Sequence, residues 1–98
     1  MTKKLSNQST IKEAIELVLD SYHLKDKYYE YQLMSNWEKC MGLAVAKRTT
    51  NLSIKNKILF VDLDSAVLRQ ELSMAKTKVL TTMNESVGRV VIENIVFA

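Results

Sequence analysis

The chain contains no proline, two glycines, one cysteine, one histidine and one tryptophan. Without proline there are few rigid breaks, so turns fall to Asn, Asp and Ser, whose short side chains hydrogen-bond to nearby backbone. The single thiol, Cys40, cannot close an internal disulfide. With His23 as the one imidazole it cannot complete a zinc site either, because such sites typically take four Cys or His ligands. Apolar runs fall far short of the roughly 20 residues that cross a bilayer. The leading MTKKLSNQST has two lysines but no apolar stretch behind it, so it does not read as a secretory signal, and a cytoplasmic location is the expectation. There is no Gly-rich phosphate loop, no GxSxG, no HExxH and no metal-ligand cluster, which makes a non-enzymatic protein without a cofactor the expectation.

What is present suits one small domain. At 98 residues the chain lies below the roughly 150 at which independent cores begin to separate. A chain of this size buries roughly 65% of its unfolded surface, enough for a single thin core. Residues 1–9 lack periodicity and read as a tail, leaving 10–98 as the folded unit. The net charge of +3 is unevenly spread. Residues 1–38 hold five Lys and six acids, residues 58–98 hold four bases and five acids, and each segment sums to −1. Between them Lys39, Lys47, Arg48, Lys55 and Lys57 occur with no Asp or Glu, a local +5. Such a run is either a solvated face or a surface for a partner with clustered negative charge.

Periodicity supplies the elements. Thr10 and Glu13 have capping-box spacing, and Ile11, Ala14, Ile15, Val18, Leu19 and Tyr22 recur at three and four residues, predicting an amphipathic helix to about Tyr22. A second helix is predicted over Lys25–Met41, with Gly42 as a left-handed cap or Leu43–Ala46 as one further turn. Asn51–Lys55 and Ile58–Leu63 read as two strands joined by a two-residue turn at Asn56-Lys57, with Leu59, Val61 and Leu63 on one face and Asp62 and Asp64 on the other. Asp64 or Ser65 then caps a long helix carrying Leu68, Leu72, Ala75, Val79 and Met83 as one stripe, with Arg69, Gln70, Lys76 and Lys78 facing water. That helix ends over Asn84–Gly88, and Val90–Phe97 reads as a last strand whose buried face Glu93 obscures. The order is α-α-β-β-α-β, an α+β fold. The crossover helix lets the last two strands run parallel beside an antiparallel hairpin, giving a three-stranded mixed sheet with helices on one face.

Trp37, Gly42, Ala46 through Thr49, LSIKNKILFVDLDSAVLRQEL, Asn84 and the closing Ile95-Val96-Phe97 together resemble the DciA-type family over nearly the whole chain from Ile11. The resemblance implies a KH-like fold and, for some members, support for loading the bacterial replicative DNA helicase together with DNA binding. An ordinary KH domain clamps nucleotides with a GXXG loop, and here Asp64–Val87 contains no glycine. Members that load helicases also tend to carry a flexible, charged extension, and this sequence stops at Ala98.

The candidate nucleic-acid contacts are Lys47, Arg48, Lys55 and Lys57, expected to converge beside the hairpin turn, together with Lys39. Tyr28, Tyr29 and Tyr31 cannot all point inward from one helix, so one ring, taken as Tyr29, is expected at the surface as a base-stacking or partner contact. Trp37 and Cys40 read as core, and His23 as a carbonyl cap or a solvated side chain. The expected partners are single-stranded or duplex DNA, or RNA, and a replicative helicase, with no membrane. A competing reading is a protein adaptor or homodimer, because the first helix carries more apolar surface than a thin domain buries.

Overall fold

The structure, a computed structural model, describes residues 8–22 and 24–98. His23 and most of the expected tail lie outside them. Helix α1 spans Gln8–Ser21, α2 Lys25–Ser35, α3 Trp37–Met41 and α4 Leu43–Lys47. Strands β1 (Thr49–Lys55) and β2 (Ile58–Leu63) follow, then α5 (Ala66–Met74), α6 (Lys76–Val87) and β3 (Asn94–Phe97). The sheet order is β1-β2-β3, with β1 antiparallel and β3 parallel to β2. This is the expected mixed sheet with its crossover.

The core follows from strand alternation. Successive side chains leave opposite faces, so Leu59, Val61 and Leu63 point together and are buried, joined by Ile95 from β3. Leu33 of α2, Trp37 of α3, Val79 and Met83 of α6, and Ile92 close over them. The Trp37 indole N–H donates to Thr49 Oγ1 at 3.0 Å, and that hydroxyl donates to Val45 O at 2.8 Å, so the large ring is buried with its polar atom satisfied. Cys40 packs half-buried against this core.

Three element boundaries differ from the periodicity reading. Helix α1 already includes Gln8, which puts Thr10 inside the helix instead of at its cap. The helix expected to run to Met41 breaks at Asn36, whose side-chain amide donates to Ser86 Oγ and O; it ends at Met41 as expected, before Gly42 with φ 91° and ψ 163°. That conformation is open almost only to glycine and is not a left-handed cap. The expected long crossover helix is two helices: α5 is capped by Ser65, whose Oγ accepts from Leu68 N at 3.3 Å, and the chain bends at the exposed Ala75 before α6. Lys76 is half-buried, and Arg69 turns back, donating from Nη1 to Leu63 O at 2.8 Å instead of facing water.

The last strand is shorter than expected. Asn84 substitutes for a strand neighbour: its Oδ1 accepts from Val91 N and Ile92 N, and its Nδ2 donates to Ile92 O. Residues 90–93 therefore stay outside the strand, with Val91 and Ile92 buried and the chain bending at Glu93, and regular pairing starts at Asn94. Glu93 is exposed.

Candidate nucleic-acid interface

Asn56 and Lys57 form the two-residue turn with φ of 53° and 63°. Positive φ at both central positions is the hairpin turn whose twist matches the flanking strands. Its second position favours Gly, because a side chain there costs roughly 1–2 kcal/mol. Lys57 thus carries a cation at the expense of the turn's own stability.

The five cations are all exposed, but they do not converge. Lys47 and Arg48 immediately precede β1, at the end where Thr49 faces Leu63, whereas Lys55 ends β1 and faces Ile58 beside the turn. Seven strand steps separate Arg48 from Lys55, roughly 23 Å at about 3.3 Å per residue. The two pairs lie at opposite ends of one strand, which corrects the expected cluster. A two-residue turn leaves no slack to fold one end onto the other. Lys39 lies on α3 two residues after Trp37; two residues turn a helix by about 200°, so it points away from Thr49.

β1 is an edge strand. In the register set by the turn, Lys55, Ser53 and Asn51 exchange hydrogen bonds with Ile58, Phe60 and Asp62, so the backbone of Leu52 and Ile54 faces the open edge. Near Arg48 the ladder carries a bulge between Thr49 and Asn51, where Thr50 Oγ1 donates to Asp62 O at 3.2 Å. Arg48 lies 3.8 Å from Asp64, both exposed. An exposed pair of this kind is worth at most about 1 kcal/mol, and the guanidinium can exchange it for another anion.

The helices cover the sheet face that carries Leu59, Val61 and Ile95, so the other face is open. There Ser53, Phe60 and Val96 lie in one row across the three strands, with Lys55, Ile58 and Asn94 beside them. Phe60 is half-buried at the centre, between the two cationic ends of β1. The alternation that set Asp62 outward also set Phe60 outward, and that signal was legible in the sequence.

Tyr29 is the opposite case. It is the buried tyrosine of its cluster, while Tyr28 and Tyr31 are exposed, which corrects its assignment as a surface ring. Its hydroxyl donates to Glu16 Oε2 at 2.6 Å, and the Arg89 guanidinium lies 4.1 Å above its ring and 3.8 Å from the same carboxylate. The hydrogen bond from Tyr29 holds the Glu16 carboxyl below its ordinary pKa, and the same bond raises that of the phenol. The ring is committed to pinning α1 on α2.

Arg89 also joins Asn56, Lys57, Asp26 and Glu30 around a cleft of about 370 Å³ beside the turn. It lies outside the acid-free run, and only the fold brings it to Lys57. Among the described residues no three His, Cys, Asp or Glu side chains are grouped to hold a metal ion, and no helix is long and apolar enough to cross a membrane.

The model of the family described as Dna[CI] antecedent, DciA, matches residues 10–97. A UPF0232 protein of Corynebacterium glutamicum (strain R) is 37% identical over 54 residues, covering 55% of this chain and 30% of that protein. The chain thus aligns with under a third of the curated relative's length. No solved structure matches it. With the family match running from α1 to β3, the chain belongs to the DciA family, a family associated with helicase loading.

Proposed function

We propose that the chain is a non-enzymatic DNA-engaging domain that supports loading of the replicative helicase, and that it holds single-stranded DNA along β1. The observation that carries this reading is an open-edged strand with exposed cations at both ends and no acid from Lys39 to Lys57. Phosphates would meet Lys47 and Arg48 at one end and Lys55 and Lys57 at the other. The roughly 23 Å between them is about seven 3.4 Å phosphate steps of one strand in B-form geometry, and fewer in an extended single strand. Between the ends, the outward N–H groups of Leu52 and Ile54 offer further phosphate donors. On the open face beside β1, the Phe60 ring offers a stacking surface of the kind sheet-type single-strand binders use. This mode needs no GXXG loop.

The test is titration of labelled single-stranded and duplex oligonucleotides at two salt concentrations. Four phosphate contacts on a single strand give a log–log salt slope of roughly −2.8, about −0.7 per contact. Phe60→Leu should weaken the single-strand complex by roughly 1–3 kcal/mol if one base stacks there, and should affect the duplex less. A salt-independent response would remove DNA from the reading and leave helicase contact alone, which capture of the helicase in the absence of DNA would register.

A further inference from the structure

We infer that the exposed faces of α1 and α2 form a homodimer interface, and that the occupant is a second copy of this chain. At 100° per residue, Thr10, Ile11, Ala14, Ile15, Leu17, Val18, Ser21 and Tyr22 share one side of α1, and none is charged. Lys12, Glu13, Glu16 and Asp20 occupy the other side, where Glu16 ties the helix to Tyr29 and Arg89. The contact with the body uses that flank, with Ile11 and Ile15 at the edge of the hollow between them, so most of the apolar stripe is left in water.

Ile11, Ile15, Val18 and Tyr22 on α1, with Tyr28 and Tyr31 on α2, stand 39% to 71% exposed. Ile11, Ile15 and Tyr28 line one hollow together with Lys12, Glu16, Gln32 and Val87, so apolar side chains of the two helices meet there. At roughly 200 Å² per tyrosine side chain and somewhat less per aliphatic one, it exposes on the order of 600 Å². That is the upper end of what a monomer leaves bare, about 300–600 Å². Two copies together would bury about 1,200 Å², the lower bound for a specific interface.

The chemistry of the face selects the occupant. An isologous contact sets a surface against itself, so an excess of charge of one sign is repelled; the α1 stripe carries no charge, and the hollow joining it to Tyr28 is lined by one cation and one acid, Lys12 and Glu16. The stripe also carries both a hollow and exposed side chains to fill one: a dent of about 250 Å³ is lined by Ala14, Ile15, Val18 and Leu19, and Leu17 and Tyr22 stand exposed beside it. A phosphate backbone finds no cation on the α1 stripe itself. An anionic membrane meets a helix whose polar flank carries three acids against one lysine, the reverse of a membrane-surface helix.

The experiment is sedimentation equilibrium of the intact chain from about 1 to 200 µM, beside Val18→Glu and Tyr22→Glu. Neither position is buried, so thermal unfolding of the two variants should follow that of the wild type at concentrations where all are monomeric. The expected result is a mass that rises from 11.2 kDa toward twice that value, and remains at the monomer value for both variants. A wild type that stays monomeric throughout would overturn the inference, as would a dimer that survives both substitutions. Loss of helicase capture by the variants of a monomeric wild type would assign the face to the helicase instead. Oligonucleotide binding, measured separately, leaves this outcome distinguishable from failure of the DNA reading.

Discussion

In α6, Val79 and Met83 are one turn apart and lie buried beneath the sheet, whereas in α1 Ile11, Ile15 and Val18 recur at helical spacing and stand 44–56% exposed. Helical spacing determines which side chains share a face, and only the layer above determines whether that face is dry. For α6 the layer exists: β2 and β3 arrive from distant sequence and close over it. For α1 the body offers the flank bearing Tyr29 and Gln32, reached through Lys12 and Glu16 with Ile11 and Ile15 lining the same hollow, and the rest of the stripe is left over.

Substitutions should sort along the same contrast. Leu59→Ala, at a fully buried site, should cost about 2–5 kcal/mol in denaturant unfolding, since it removes packed atoms from the centre of the sheet. Gly42→Ala comes next, at about 1–3 kcal/mol. An added Cβ at Gly42 meets nothing within 4 Å, so the loss would come from its φ of 91° alone. A smaller effect is expected at the lock between α1 and α2. Because the Glu16 carboxyl is lowered, its contribution is in place above about pH 4.3, the ordinary Glu value, and is lost as pH falls through the lowered value in the folded protein. Because Tyr29 is raised, its contribution holds below about pH 10 and is lost as pH climbs through the raised folded value. Unfolding of Glu16→Gln followed from pH 6 to pH 3 should show a shallower acid loss than the wild type. Smallest of all, Val18→Ala should change monomer stability by less than about 0.5 kcal/mol, because the side chain it truncates already faces water.

Much of the fold was legible because it rests on short-range chemistry. The alternation in β2, the turn residues Asn56 and Lys57, the Ser65 cap and the crossover length each specify their own geometry, and together they specify a mixed three-stranded sheet. What the sequence left open depends on individual side-chain hydrogen bonds, one to a distant segment and others only six to eight residues away. Asn36 breaks α2 by reaching Ser86, Asn84 holds Val91 and Ile92 out of the ladder, and Arg69 folds back to Leu63. None of these pairings leaves a periodic trace.

The candidate site divides in the same way. Exposure of Lys47, Arg48, Lys55 and Lys57 could be read from polarity, but their arrangement could not. A cluster and a line have identical composition, and only the seven-residue length of β1 separates them. Tyr29 is not singled out by the sequence, because Tyr28, Tyr29 and Tyr31 in one short stretch give no sign of which one faces the core; the partner that decides it, Glu16, lies 13 residues away. Arg89 was out of reach for a similar reason, lying 32 positions beyond Lys57.

The claim that DNA spans both ends of β1 is tested most directly by removing the ends one at a time. Salt slopes for single-stranded DNA should be compared for the wild type, Lys47→Glu with Arg48→Glu, and Lys55→Glu with Lys57→Glu. A strand that bridges the ends predicts a wild-type slope near −2.8 and a loss of about 1.4 from each paired variant. A slope that collapses in one paired variant and is untouched in the other would mean that only one end meets the DNA, and would contradict the account.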